Sequence, residues 1–260
     1  MDVRLDGRTA LITGASLGLG KAMAAQFAEA GAGIAMLARR ADVLEEARAE
    51  IAASTDTEIR TYVCDVSDAD EIARTFGQAN ADFGQIDILV NNAGTSQTGR
   101  FLEITDETWQ ADIDLKLFAA IRLARLALPG MIERRWGRIL NVLNTGAKAP
   151  RGGSAPTSVS RAAGMALTKV LANEGAPHNV LVNALCTGSF VSDQRHRLHR
   201  QTRPDLSFED YLVETGKSVP LGRIGEAAEF ANLACFLASD AASYLTGTAI
   251  NIDGGMSPVV

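Results

Sequence analysis

The chain has 260 residues, enough for one sizeable α/β domain that buries about 75% of its unfolded surface. Its 47% hydrophobic and 22% charged residues are a globular composition, and a formal net charge of −6 argues against non-specific binding to nucleic acid. No apolar run approaches the roughly 18 residues needed to span a membrane, and Met1–Asp6 lacks the apolar core of a signal peptide.

Three cysteines, Cys64, Cys186 and Cys235, lie far apart without metal-ligand spacing. They read as reduced thiols, with Cys64 and Cys186 inert at the ends of strands, and no metal site is expected. The expectation is a cytoplasmic protein that engages neither nucleic acid nor membrane.

Short apolar runs alternate with amphipathic stretches from start to finish, the pattern of βα units around a parallel sheet. Strands are predicted at Thr9–Thr13, Gly33–Leu37, Ile59–Val63, Ile86–Val90, Arg138–Leu143, Val180–Leu185 and Thr248–Ile252. Between the first two, Leu19, Met23, Phe27 and Ala30 repeat at helical spacing and stop at Gly31. A long helix is predicted from about Glu107 to Arg134, with Trp109, Ile113, Leu117, Ile121, Ala124 and Leu128 as its apolar stripe and Pro129 as a candidate kink. Another helix starts near Thr157. Residues 191–218 break this rhythm: the segment is polar, has no strand pattern, and is expected to be a lid or a disordered loop.

Thr13-Gly14-Ala15-Ser16-Leu17-Gly18-Leu19-Gly20 joins the first strand to the first helix. Glycines there let the backbone turn tightly and approach a pyrophosphate that rests on the helix N-terminus. Such a turn alone can equally be a tight βα loop; its place after the first strand favours a dinucleotide. Further along stand Cys64-Asp65-Val66, Asn91-Asn92-Ala93-Gly94, Pro220-Leu221-Gly222-Arg223 and Asp253-Gly254-Gly255.

In order and spacing these motifs resemble the short-chain dehydrogenase/reductase family across nearly the whole chain. The resemblance implies one domain over residues 1–260: a Rossmann-type, doubly wound seven-stranded parallel sheet with helices on both faces. It implies that Gly14, Ser16, Gly18, Leu19 and Gly20 hold the cofactor phosphates and that Asp65 and Val66 frame the adenine. Asn91, Ala93 and Gly94 would line the cofactor channel. Thr187-Gly188 replaces the family's Pro-Gly pair, and Ser192 falls where a Thr often meets the nicotinamide carboxamide. The family also implies a homo-oligomer, dimer or tetramer, assembled through the long helix and the one starting near Thr157.

The second predicted strand runs into Ala38-Arg39-Arg40. NAD-specific relatives place an acid at the Ala38 position. Its absence, with guanidinium groups directly after, favours NADP(H) over NAD(H), because Arg39 could hold a 2′-phosphate. The alternative is that both arginines are solvated residues opening a helix.

The catalytic positions depart from the family. Where it has Tyr-x-x-x-Lys, this chain reads Thr157-Ser158-Val159-Ser160-Arg161; thirteen residues before Thr157, where it has Ser, stands Asn144. Lys116 occupies the place of a helix Asn. A threonine hydroxyl is too weak an acid to stand in for a phenol, and a guanidinium is a poor proton carrier that can still hold ribose hydroxyls. Asn144 can still donate to a substrate oxygen, and Thr145 offers a hydroxyl if the register shifts by one. Lys116, desolvated beside Arg161, is the internal candidate for proton donor. Tyr211, His196 and His199 could reach the site from the 191–218 segment. The basic residues Arg195, Arg197, Arg200 and Arg203 there would attract an anionic substrate, or else form a solvated helix face.

The leading expectation is a divergent NADP(H)-dependent oxidoreductase acting on a small carbonyl or alcohol, with an anionic one favoured. The alternatives are a catalytically silent nucleotide- or ligand-binding protein and a non-redox lyase or isomerase using the same pocket.

Overall fold

The computed structural model describes residues 3–260; Met1 and Asp2, at the head of the N-terminal segment read above, lie outside the described residues. In chain order come β1 (Thr9–Thr13), α1 (Gly18–Glu29), β2 (Gly33–Ala38), α2 (Ala41–Ala52), β3 (Ile59–Val63), α3 (Ala69–Phe83) and β4 (Ile88–Asn91). After a two-residue β5 (Thr98–Gly99) follow α4 (Asp106–Ile113), a π-helical turn (Asp114–Phe118), α5 (Ala119–Glu133) and β6 (Gly137–Asn144). The remainder is β7 (Ala155–Pro156), α6 (Thr157–Gly175), β8 (Val180–Thr187), α7 (Asp193–Thr202), α8 (Phe208–Gly216), α9 (Ala227–Ala238) and β9 (Ala249–Ile252).

Seven strands form one parallel sheet in the order β3-β2-β1-β4-β6-β8-β9. Alternation along each strand sends neighbouring side chains to opposite faces. Ala10, Ile12, Ile34 and Met36 join Met23 and Phe27 of α1 and Phe230 of α9 in one core. Leu11, Ala35 and Leu37 join Ile72 and Phe76 of α3 and Leu123 of α5 in the other. Both faces are therefore buried, as expected of near-continuous apolar strands in a doubly wound fold. The strand order reverses between β1 and β4, so the crevice beyond their carboxyl ends is the place where such sheets bind ligands.

All seven predicted strands are present within a few residues of their expected ends. The long helix is present with a π-helical turn in its middle, and its buried stripe differs from the predicted one. Asp112, Lys116, Ala120, Leu123, Ala127 and Met131 face inward together with Ala124 of the predicted stripe, while Ile113, Leu117 and Ile121 are only half-buried. The helix is apolar on more than one side, so periodicity alone finds only part of the buried face, and the π-helical turn shifts the register further. The 191–218 segment folds into two helices. Ser192 caps α7 and Ser207 caps α8, each accepting from a backbone amide in the first turn. Among the described residues no helix is long and apolar enough to cross a membrane, and no cluster of side chains could hold a metal ion.

Candidate active site

The crevice begins where β1 ends. Thr13 Oγ1 accepts from the backbone N–H groups of Asn92 (2.9 Å) and Ala93 (3.0 Å) and donates to the Val90 carbonyl (3.2 Å), which ties the glycine loop to the end of β4. Asn92 Nδ2 donates to the carbonyls of Thr13 (2.8 Å) and Gly14 (3.2 Å). Gly14 and Gly18 hold positive φ, and a Cβ at Gly20 would strike the Gly14 carbonyl and Asn92 Nδ2. Only glycine fits this cradle. No side chain caps the first turn of α1, so its amides are left to an anionic ligand.

A cavity of about 620 Å³ runs from this loop to the carboxyl end of β6 and the start of α6. Gly14, Ser16, Gly18, Leu19, Gly20, Ala93 and Gly94 line it, as do Gly188 and Ser192. Asn91 does not: it donates to Asn141 Oδ1 (2.9 Å) inside the sheet. The strand's alternation turns Asn91 inward and gives the wall to Asn92. A second cavity of about 370 Å³ opens beside the first, between Ala38, Arg39, Asp65, Val66 and Leu115. Arg39 lies 3.8 Å from Asp65 across its mouth, both side chains being well exposed. These features fit a dinucleotide, with a glycine cradle for its diphosphate and a flanking slot with an arginine for its adenosine half.

At the other end, Asn144, Thr157 and Arg161 line the larger cavity, and Lys116 does not. Lys116 is buried in an ion pair with Asp112, one helical turn earlier, and donates to Thr157 Oγ1 (2.8 Å). Ser160 Oγ donates to the second oxygen of Asp112 (2.6 Å). Burial lowers the Lys116 pKa; Asp112 opposes this and Arg161 adds to it. Thr157 Oγ1 also accepts from the Gln97 amide (2.9 Å) and donates to the Gln97 carbonyl (2.7 Å). Two acceptor bonds and one donor bond saturate a hydroxyl. Asp112 is the residue that sequence reasoning missed; its i,i+4 spacing to Lys116 was the available signal.

Arg161 crosses from α6 to the end of β6, where Nη1 donates to the Val142 carbonyl (2.5 Å). Its Nε is enclosed without a partner, and Nη2 stands 2.5 Å from where a Cβ of Gly94 would lie. Burial pulls this guanidinium down to about 10, against the pull of Asp112. Asn144, the last residue of β6, has its Oδ1 enclosed without a partner, and its Nδ2 makes no hydrogen bond within the described chain.

The α7–α8 pair sits beside the loop, with Ser192 Cβ 3.5 Å from the Cβ position of Gly18. Arg197 reaches the cavity wall, partnered by Asp193 at 3.4 Å. The side chains expected to reach down from here do not line it. His196 stacks on Phe208 with ring centroids 3.7 Å apart, and His199 lies 5.0 Å from the Tyr211 ring. Arg203 is held by Asp205 and Glu214. Ring contacts with Phe208 and Tyr211 of α8 hold both imidazoles, while Tyr211 is the buried member of the group.

Comparison with known proteins gives a consistent picture. A family model described as Enoyl-(Acyl carrier protein) reductase matches residues 14–257. Oxidoreductase UcpA of Salmonella typhimurium is 38% identical over 253 residues, covering 97% of this chain and 95% of that protein. The 3-oxoacyl-[acyl-carrier-protein] reductase FabG of Thermotoga maritima is 34% identical, covering 98% of this chain and 99% of the relative. Among solved structures, L-sorbose reductase from Gluconobacter frateurii, in complex with NADPH and L-sorbose, is 33% identical and superposes with a TM-score of 0.93 over 100% of both chains.

Proposed function

We propose that this chain, which belongs to the short-chain dehydrogenase/reductase family, is an oxidoreductase that uses NADP(H) and acts on a small carbonyl compound or alcohol bearing an anionic group. The observation that carries this reading is the continuous cavity from the Gly14–Gly20 cradle to Asn144 and Arg161. A nicotinamide dinucleotide bound there supplies or accepts the hydride. The loop glycines, Ser16 and the α1 amides hold its diphosphate, Asp65 and Val66 its adenine, and Arg39 its 2′-phosphate by charged hydrogen bonds. Ala93, Gly94, Gly188 and Ser192 border the path toward the substrate. Arg197 at the mouth and Arg161 at the inner end give the cavity its positive lining, which supports an anionic substrate.

Lys116 has no part in this reading as the proton donor, because its ammonium points into Asp112 and Thr157. That same inward turn favours a second reading, a silent nucleotide-binding protein. A cytoplasmic homo-oligomer is proposed as well. Three free, buried thiols support the reducing compartment. Exposed Phe118, Leu126, Val159 and Val170 on the long helix and α6 support self-association.

Calorimetric titration with NADPH and NADH, followed by turnover assays on anionic carbonyls and alcohols, tests the reading. Micromolar NADPH binding, much weaker NADH binding and turnover support it. Binding without turnover supports the silent alternative. Turnover without any nicotinamide points to lyase or isomerase chemistry, and no binding of either dinucleotide overturns the oxidoreductase.

A further inference from the structure

Hydride delivery to a carbonyl carbon leaves an alkoxide, so basic that an acid at the oxygen is worth about 10²–10⁴-fold in rate. Among the described residues lining the larger cavity there is no tyrosine, histidine, cysteine or lysine. Its hydroxyls belong to serines and threonines, no stronger as acids than the alcohol being made. Thr157, moreover, has its hydrogen-bonding capacity filled by Lys116 and Gln97. Arg161 donates hydrogen bonds but keeps its protons. Asp193, the one carboxyl group on this wall, stands at the start of α7 in a pair with Arg197.

Hydride delivery to a protonated imine has no such requirement. The iminium carbon accepts the hydride, the carbon–nitrogen π pair returns to nitrogen, and the product is a neutral amine. The proton on nitrogen is taken from water before the hydride step. The wall suits such a group in two further ways. Asn144 Oδ1 is an enclosed acceptor that no donor among the described residues reaches. A carbonyl oxygen brings it nothing, whereas an iminium or amine N–H satisfies it, and the broad Cβ–Cγ torsion lets the amide turn toward a ligand. Apart from Asp193, the charges on the wall are arginines, Arg161 within and Arg197 at the mouth among them. A bare cation is repelled there. An iminium with its own carboxylate enters as a neutral zwitterion whose anionic end meets a guanidinium.

We propose that the protein reduces a cyclic imine bearing a carboxylate to the corresponding cyclic amino acid, with Asn144 accepting from the nitrogen's N–H. The activity goes beyond the carbonyl and alcohol reading above and rests on its nicotinamide-binding half. NADPH, the imine and one proton from water give NADP⁺ and the secondary amine. The ring matters because an intramolecular imine persists in water, where an open-chain imine hydrolyses. No protein acid is needed in the hydride step.

The test offers NADPH-loaded protein 1-pyrroline-2-carboxylate, whose ring stands in equilibrium in water with open-chain 5-amino-2-oxopentanoate. Products are identified by NMR: imine reduction gives proline, and carbonyl reduction gives 5-amino-2-hydroxypentanoate. Proline is expected, with kcat/KM at least about 100-fold above that for 2-oxopentanoate, the margin a missing acid imposes. Above the imine's own pKa the rate should fall about tenfold per pH unit, following the protonated fraction. The carboxylate-free 2-methyl-1-pyrroline should be at least about tenfold poorer. Asn144→Leu removes no side-chain hydrogen bond made among the described residues, so the fold should hold, with retained NADPH binding as the check. Its kcat/KM for the imine should drop about tenfold. The hydroxy acid as main product, 2-oxopentanoate reduced as fast as the imine, an equally good 2-methyl-1-pyrroline, or an unchanged rate in Asn144→Leu overturns the proposal and leaves the oxidoreductase standing. So does an inert imine with NADPH bound; only absent NADPH binding removes both.

Discussion

Lys116 and Asp112 form an ion pair one helical turn apart, each side chain only 1% exposed, and neither reaches the cavity wall. The pair bridges the middle of the long helix to the start of α6 through Thr157 and Ser160. It lies beside a π-helical turn, where the backbone register of the helix slips. Lys116 thus belongs to a buried polar joint between two helices.

Removing one partner of a buried pair strands the other charge. Lys116→Met is expected to cost about 3–5 kcal/mol in urea denaturation, whereas the double variant Lys116→Met/Asp112→Leu should recover most of that loss. Recovery is possible because Thr157 keeps its Gln97 bonds and Ser160 keeps the Thr157 carbonyl. Equal destabilisation in single and double variants would count against the ion pair as the cause.

A methyl group at Gly94 would meet Arg161 Nη2 at 2.5 Å. The guanidinium is the flexible partner, so Gly94→Ala should change stability by about 1 kcal/mol or less. It should nevertheless displace Nη2 and weaken the NADPH binding read by calorimetry, because Gly94 and Arg161 share the cavity wall. Unchanged binding would mean that Nη2 does not meet the dinucleotide.

Arg39 and Arg40 both line the second cavity, and Arg39 is the one that lies against Asp65. Arg39→Ala should weaken NADPH binding by roughly 10- to 100-fold, the equivalent of about 1.5–3 kcal/mol for a charged hydrogen bond, and leave NADH binding nearly unchanged. Calorimetry on both dinucleotides gives the ratio. Parallel loss of both would assign Arg39 a structural part instead.

Cys235, 2% exposed between α9 and α1, has its thiol pushed up from 9.0 to about 11 by burial. Its folded pKa lies above the unfolded one, so the native state keeps a proton that the unfolded chain releases. The contribution is fully present below pH 9 and is lost as pH rises through about 11. About two units correspond to on the order of 2–3 kcal/mol. Denaturation at pH 8 and pH 11 should therefore show a smaller fall for Cys235→Ala than for the wild type. Equal falls would show that the thiol is ionised in the native state.

Much of the molecule was legible without coordinates. Seven short apolar runs separated by helical stretches identify a doubly wound sheet, because the inner strands are buried on both faces and show it within their own few residues. The phosphate loop was legible for the same reason: Gly14, Gly18 and Gly20 sit within a few residues of one another, and the backbone demand on each is local. Arg39 and Asp65 were legible because they close adjacent strands, β2 and β3, in parallel register.

The direction each catalytic-position side chain takes was decided by contacts distant in sequence. Lys116 finds its hydroxyl partner 41 residues away on Thr157. Asn91 and Asn92 differ in role because one more step of strand alternation turns the first into the sheet and the second onto the glycine loop. His196, His199 and Tyr211 turn toward Phe208 because ring–ring contacts between α7 and α8 are made by residues that do not line the cavity. The sequence by itself determined the scaffold and the phosphate cradle, which follow from patterns repeated within each segment. Only the tertiary structure decided which groups face the ligand, because Lys116 turns to the carboxylate one turn before it only where a hydroxyl from another helix, Thr157, completes the buried joint.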